Sequence, residues 1–235
     1  MKKFALAAGL LTLTAGNSTY AAATPPVVVE LFTSQGCSSC PPADTLVVEL
    51  ARDPSIVALT FHVNYWDYLG WKDPYASAES TDRQRNYSSY LGRNNVFTPQ
   101  VMVDGMHSAV GSNRREVNAA IAKARTQPHG SVTITPAAAG KLLKVEVGQG
   151  SAALAAPASV LAFRFVRQTS TPVKAGENRG ETLATVNSVT SITPLGSWQG
   201  KAADYEIAAP QNASEGIAVV VQNEQTGQIY ASAIQ

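Results

Sequence analysis

An α/β domain with a central mixed sheet flanked by helices, followed by an all-β sandwich, is the fold class this sequence predicts. Three observations predict it. The apolar run Val27-Val28-Val29-Glu30-Leu31-Phe32 is followed by Gly36-Cys37-Ser38-Ser39-Cys40-Pro41-Pro42, then by Leu46, Val47, Leu50 and Ala51 at helix spacing. Val96-Phe97-Thr98-Pro99-Gln100 precedes two apolar runs separated by Asp104-Gly105, a strong hairpin signal. After Gln127-Pro128-His129-Gly130 the composition shifts to Thr, Val, Ser, Gly and Ala in short alternating segments, as in a sandwich.

The chain begins with a segment that is not part of this fold. Residues 1–23 read as a signal peptide: Lys2 and Lys3, the apolar stretch Phe4 to Leu13, and an Ala21-Ala22-Ala23 cleavage site. The stretch is too short to span a bilayer comfortably, and no later run is long enough, so no stable membrane insertion is expected. The mature protein is expected to start near Thr24, secreted into an oxidising compartment such as a bacterial periplasm. Without Lys2 and Lys3, the 18 basic and 17 acidic residues become 16 and 17, a net charge near −1. That balance predicts no nucleic-acid partner and no anionic membrane surface. The 235 residues hold one large domain or two ordinary ones, and 45% apolar with 15% charged residues suits a globular chain.

The first strand, Val27 to Phe32, leads into the only two cysteines of the chain, three positions apart at the start of a helix. Unpaired N–H groups and the helix dipole there favour the thiolate of Cys37. Cys40, one turn on, is placed to resolve a mixed disulfide by attacking it. Stapling is the weaker reading of the pair, because closing so short a loop gains only about 2 kcal/mol against roughly 4.7 for a 100-residue loop. Zinc is weaker still, with no second Cys pair or closely spaced His pair to complete a site. Pro41 and Pro42 lack N–H donors and must lie in the first helical turn. A modest lowering of the Cys37 pKa follows, since two of its candidate donors are absent. Glu30 is a candidate proton relay if buried beneath the dithiol, and otherwise a carboxylate facing solvent or a lysine.

The helix is expected to end near Arg52-Asp53-Pro54, and Ile56 to Val63 to form a second, parallel strand. His62 falls at its C-terminal end, the edge where open α/β sheets place their sites. Of the chain's 3 Trp, 8 Tyr and 6 Phe, five residues crowd between Tyr65 and Tyr75 without helix or strand periodicity. Such a long irregular segment reads as a functional loop, with Tyr65, Trp66 and Trp71 walling a substrate groove and Thr98 joining it from the strand beyond. A polar helix is expected from Ala78 to Leu91, and a last one capped by Asn113 with Glu116 three residues on. Seven strands are expected beyond it: Ser131–Thr135, Leu142–Val147, Ser159–Arg167, Thr182–Ile192, Asp204–Ile207, Ile217–Gln222 and Ile229–Ala233. They form the expected immunoglobulin-like sandwich, and the polar stretch Lys174 to Glu181 either binds something or connects strands, connection being the favoured reading.

The run Glu30 to Ala43, with His62-Val63-Asn64-Tyr65-Trp66-Asp67 and Thr98-Pro99-Gln100, resembles a secreted thioredoxin-like family labelled domain of unknown function 1223. The resemblance implies a thioredoxin-like domain at 24–127, with the sandwich at 131–235. It also implies that Cys37 is the attacking thiol, Cys40 the resolving thiol and Pro99 a cis-proline facing them. The chain departs from thioredoxin in Gly36, where a tryptophan normally precedes the first cysteine, and in Ser-Ser between the cysteines. The function expected is an exported thiol–disulfide oxidoreductase acting on a protein or low-molecular-weight thiol or disulfide, without a cofactor. Two alternatives stay open: a Cu(I) metallochaperone using Cys37, Cys40 and His62 or His107, and a non-enzymatic protein-binding module.

Overall fold

The computed structural model describes residues 25–137, 140–151 and 157–235; the expected signal peptide and Thr24 lie outside the described residues. Strand β1 (Val27–Thr33) leads through helix α1 (Pro41–Leu50) to β2 (Ile56–His62), which pairs with it in parallel from Val27↔Ile56 to Thr33↔His62. Pro41 and Pro42 occupy the first positions of α1, with Cys40 as its N-cap. Helix α2 (Ala78–Tyr90) is capped by Ser77, whose Oγ accepts from Ser80 N at 3.0 Å. Strands β3 (Gln100–Val103) and β4 (His107–Val110) form the hairpin at Asp104-Gly105, both of which have positive φ. Helix α3 (Arg114–Ala124) starts at its Asn113 cap.

Strand alternation divides these elements between two faces. On one face Val27, Val29 and Leu31 meet Ala43, Leu46 and Val47 of α1 and Val117 and Ile121 of α3. On the other, Val28 and Phe32 meet Phe61, Tyr87 and Met102 beneath α2. Both β1 and β2 are therefore buried along their whole length, which suits their near-continuous apolar runs.

Each of the seven segments expected beyond α3 is a strand: β5 (Val132–Pro136), β6 (Leu142–Val147), β7 (Ala158–Pro172), β8 (Thr182–Trp198), β9 (Ala203–Ala208), β10 (Glu215–Asn223) and β11 (Ile229–Ile234). They do not assemble as expected. A helix-flanked thioredoxin-like domain followed by a separate immunoglobulin-like sandwich is overturned by the sheet order β11-β10-β7-β8-β2-β1-β3-β4. Four late strands extend the first sheet into one eight-stranded mixed sheet, and only β5, β6 and β9 form a second sheet. The physical reason lies at β2. Its outer edge would carry unpaired backbone groups in a domain that ended at α3, and β8 covers that edge in parallel at Thr60↔Ser188. Two side chains secure the joint: Thr60 Oγ1 donates to Val186 O at 2.7 Å, and Asn187 Nδ2 to Ala58 O at 2.8 Å. The three-stranded sheet then packs Leu143, Val145 and Val147 against Val160, Ala162, Ile217 and Val219 of the large sheet.

Asn187 also bends the chain. Its backbone is left-handed, with φ 47°, a conformation that asparagine tolerates better than most residues. The β7–β8 hairpin leaves the sheet there, and its far end reaches the loop between β1 and α1.

Candidate functional site: a buried dithiol and its surroundings

Beyond Thr33 the chain makes two successive turns, Cys37 N donating to Ser34 O at 3.1 Å and Cys40 N to Cys37 O at 3.2 Å. Both cysteines are free thiols, and both are fully buried. Their environments drive them apart. Cys37 is lowered to about 6, first by a hydrogen bond from the Cys40 thiol, and further by the hydroxyls of Ser39 and Thr98 and the Ser39 N–H, against the opposing effect of burial. Ser39 Oγ lies 3.2 Å from the Cys37 sulfur. Cys40 is raised far above the usual thiol range, chiefly by desolvation and then by the neighbouring Cys37. Each shift makes chemical sense: one thiol donates, the other is stabilised as the thiolate that accepts.

Beneath the pair lies an acid that sequence reasoning missed. Asp44 sits four residues after Cys40 on α1, almost wholly buried, and desolvation raises it to about 7 despite the opposing effects of His62 and Thr33. Neither Asp44 Oδ1 nor Thr33 Oγ1 has a partner of full hydrogen-bonding geometry. The Thr33 hydroxyl works against the rise of both Cys40 and Asp44. The i, i+4 spacing of Cys40 and Asp44, on a helix face shared with Ala43 and Val47, was the available signal.

Glu30, read as the proton relay, is placed elsewhere. Strand alternation puts it on the α2 face with Val28 and Phe32. There Arg83 Nε donates to its Oε1 at 2.7 Å, and the Tyr87 hydroxyl donates to its Oε2. The Arg83 guanidinium lies over Phe163, Tyr87 and Phe61, with Nη1 donating to Gln222 Oε1 at 3.0 Å. This is a structural pin joining β1, α2 and β10.

His62 does reach the dithiol face. Its Nδ1 pairs with Asp73 Oδ2 at 2.8 Å, and its Nε2 lies 3.3 Å from Ser188 Oγ. Asp73 also accepts from Gln35 N at 2.9 Å and Tyr75 N at 3.0 Å; burial pushes its carboxyl up, but these bonds and His62 hold it below the usual range. Ser188, His62 and Asp73 thus carry the order of a hydrolase triad, yet all three are buried, and the hydroxyl faces Thr185 Oγ1 at 2.7 Å rather than a cleft. With both ring nitrogens occupied, His62 is not presented as a third copper ligand. His107 lies on β4, and among the described residues no three His, Cys, Asp or Glu side chains converge as a metal set.

The aromatic segment and Thr98-Pro99 come to the same edge. The Thr98–Pro99 peptide is cis and Pro99 is buried; its ring borders Gly111, where an added Cβ would lie 3.2 Å from Pro99 Cβ. Trp66 Nε1 donates to Thr98 Oγ1 at 2.8 Å, and Trp71 Nε1 to Gln35 Oε1 at 3.1 Å. Tyr65 hydrogen-bonds Gln84 Oε1 at 3.1 Å, and burial raises its phenol to about 12. All three aromatics are half-buried around residues 34–37. A side chain at Gly36 would meet Trp66 Cβ at 3.2 Å, which accounts for glycine beside the first cysteine.

The stretch Lys174 to Glu181, favoured as a connection, also belongs here. Glu177 Oε2 accepts from Ser38 N at 2.9 Å and Ser38 Oγ at 2.8 Å. Asn178 Nδ2 donates to Gln35 O and to Cys37 O, each at 2.9 Å. These contacts span about 140 positions of chain, and nothing local in the sequence announces them.

Fold and site together define a dithiol protein built on the edge of a large mixed sheet. The chain belongs to the family described as protein of unknown function, DUF1223, whose model matches residues 28–222. It is similar to the crystal structure of protein AGR_C_4864 from Agrobacterium tumefaciens, with 33% identity and a TM-score of 0.76 over 88% of this chain and 92% of that one. HBP35 of Porphyromonas gingivalis shares the fold at 13% identity and a TM-score of 0.63, over 90% of this chain and 75% of that one. No curated protein matches the chain.

Proposed function

We propose that this protein is an exported thiol–disulfide oxidoreductase. One observation carries the reading: two free thiols at a helix start are driven apart in acidity over an unsatisfied, buried carboxyl. Cys37, lowered to about 6, is largely thiolate near neutral pH and is the nucleophile. It attacks one sulfur of a substrate disulfide, forming a mixed disulfide and expelling the other sulfur as thiolate. Cys40 then has to lose its proton to act. Asp44, raised to about 7 and buried on the same helix one turn after Cys40, is suited to accept that proton. The Cys40 thiolate attacks Cys37, the mixed disulfide breaks, and the second substrate thiolate leaves. Two electrons pass from the dithiol to the substrate, and the same steps in reverse oxidise a substrate dithiol. The His62–Asp73 pair orders the Gln35 end of the loop while this happens. The signal-peptide character of residues 1–23 supports action outside the cytosol.

Trapping tests the assignment. With an excess of a small disulfide, Cys40→Ser accumulates a mixed disulfide on Cys37, whereas Cys37→Ser accumulates none, as read by intact mass. Equal trapping by the two variants overturns the division of roles.

A further inference from the structure

We propose that Glu177 and Asn178, at the tip of the β7–β8 hairpin, form a latch that holds the dithiol loop closed and governs access to Cys37. The proposal rests on Cys37 being the reacting thiol of the reading above. Four hydrogen bonds from two adjacent side chains all land on residues 35–38: two from Ser38 to the Glu177 carboxylate, and two from the Asn178 amide to the carbonyls of Gln35 and Cys37. Asn178 is buried, and both of these carbonyls take its single Nδ2. Gly176 brings the hairpin backbone close to the same loop. With φ +75° it needs glycine, and an added Cβ would meet Trp71 Cβ at 3.3 Å and Gly36 Cα at 3.9 Å.

The chemistry of the latch is selective. Cys37 is 0% exposed although Ser38 and Ser39 beside it face solvent, so a macromolecular disulfide cannot reach the sulfur while the loop is held in this shape. The Ser38 N–H points to a carboxylate instead of being free to support the neighbouring thiolate. Release of Glu177 removes a negative charge from the loop and frees that donor, so opening exposes the nucleophile and favours its ionised form together. Glu177 is itself exposed, and its contacts with the loop are to a neutral serine. Its bonds are of the kind that an incoming partner can exchange at small net cost. Asn178, buried, holds the loop's shape; Glu177, exposed, is the releasable part.

Alkylation of Cys37 by iodoacetamide, located by peptide mass, tests this without any disulfide substrate. A latch failure is therefore separable from failure of the oxidoreductase reading, which the trapping experiment decides. Glu177→Ala is expected to raise the alkylation rate on the order of tenfold and to move the midpoint of its pH profile downward. Asn178→Ala is expected to raise the rate without moving the midpoint, and Glu177→Gln to move the midpoint with a smaller gain in rate. Unchanged rates and midpoints in folded Glu177→Ala and Asn178→Ala protein overturn the latch. Hydrogen exchange in the wild-type chain gives a test that needs no variant. The Ser38 amide, on an exposed residue, is expected to be protected by at least tenfold, and exchange at the unprotected rate also overturns the proposal.

Discussion

Replacing Asp44 with asparagine separates the two consequences of burying an acid under a dithiol. The carboxyl is moved from an ordinary 3.8 to about 7, because burial costs the charged form more than His62 and Thr33 return. The folded value is raised, so Asp44 contributes stability fully present below its unfolded value and lost as pH rises through about 7. Converted at about 1.4 kcal/mol per tenfold step, the loss amounts to at most about 4 kcal/mol, with about 3 of it falling between pH ~4.5 and pH ~8.5. The side-chain amide of the variant cannot titrate. Chemical denaturation under reducing conditions, at both pH values, should show the wild type losing up to that amount relative to Asp44→Asn on going alkaline. The variant should also lose its proton acceptor, slowing the resolving step on the order of 10²-fold or more while the first attack by Cys37 continues. An Asp44→Asn difference in stability that is equal at the two pH values, or an undiminished resolving rate, refutes the assignment.

The other expectations concern the framework. Arg83→Ala leaves the buried Glu30 carboxylate without its cation and should cost about 3–5 kcal/mol in chemical denaturation. Glu30→Gln should leave Cys37 alkylation unchanged, because that side chain lies on the opposite face of β1 from the dithiol; a changed alkylation profile would contradict the placement. His129 Nε2 bonds Asp104 Oδ2 at 2.8 Å, and that bond raises the imidazole above its usual 6.5. Its contribution is fully present below the unfolded value and lost as pH rises through the folded one. His129→Asn should therefore cost more at pH ~5.5 than at pH ~8.5 in chemical denaturation.

Much of the dithiol edge was legible because its signals are local. Two prolines just after Cys40 demand a first helical turn, Asp104-Gly105 demands a tight hairpin, and the run Val27 to Phe32 demands a buried strand. The strands of the second half were legible in the same way, as alternating segments between turns. Their partners were not. Alternation says which side chains share a face, and nothing in it names the neighbouring strand. One clue did point beyond a sandwich: Ile217-Ala218-Val219-Val220-Val221 is apolar on both faces, as a strand covered on both sides must be. In the structure Ile217, Val219 and Val221 meet the small sheet, while Ala218 and Val220 meet the core under α2.

The site residues divide along the same line. Cys37, Cys40 and Thr98-Pro99 announce themselves by motif, whereas the groups that tune them come from wherever the sheet happens to bring them. Ser188 touches His62 only because β8 pairs with β2, and Glu177 touches Ser38 only because the hairpin turns out of the sheet at Asn187. A dithiol on an ordinary sheet edge would have its acidity set by its own helix, but here the first two helix positions are prolines and the Ser38 N–H is spent on Glu177. The acidity of Cys37 rests mainly on side chains, Cys40, Ser39 and Thr98, with the Ser39 N–H adding less. Side-chain donors can rotate away where backbone donors cannot, so the reactivity of this thiol is coupled to the conformation of its loop. The late strands, by holding that loop from the far half of the chain, make the second half part of the site rather than an appendage to it.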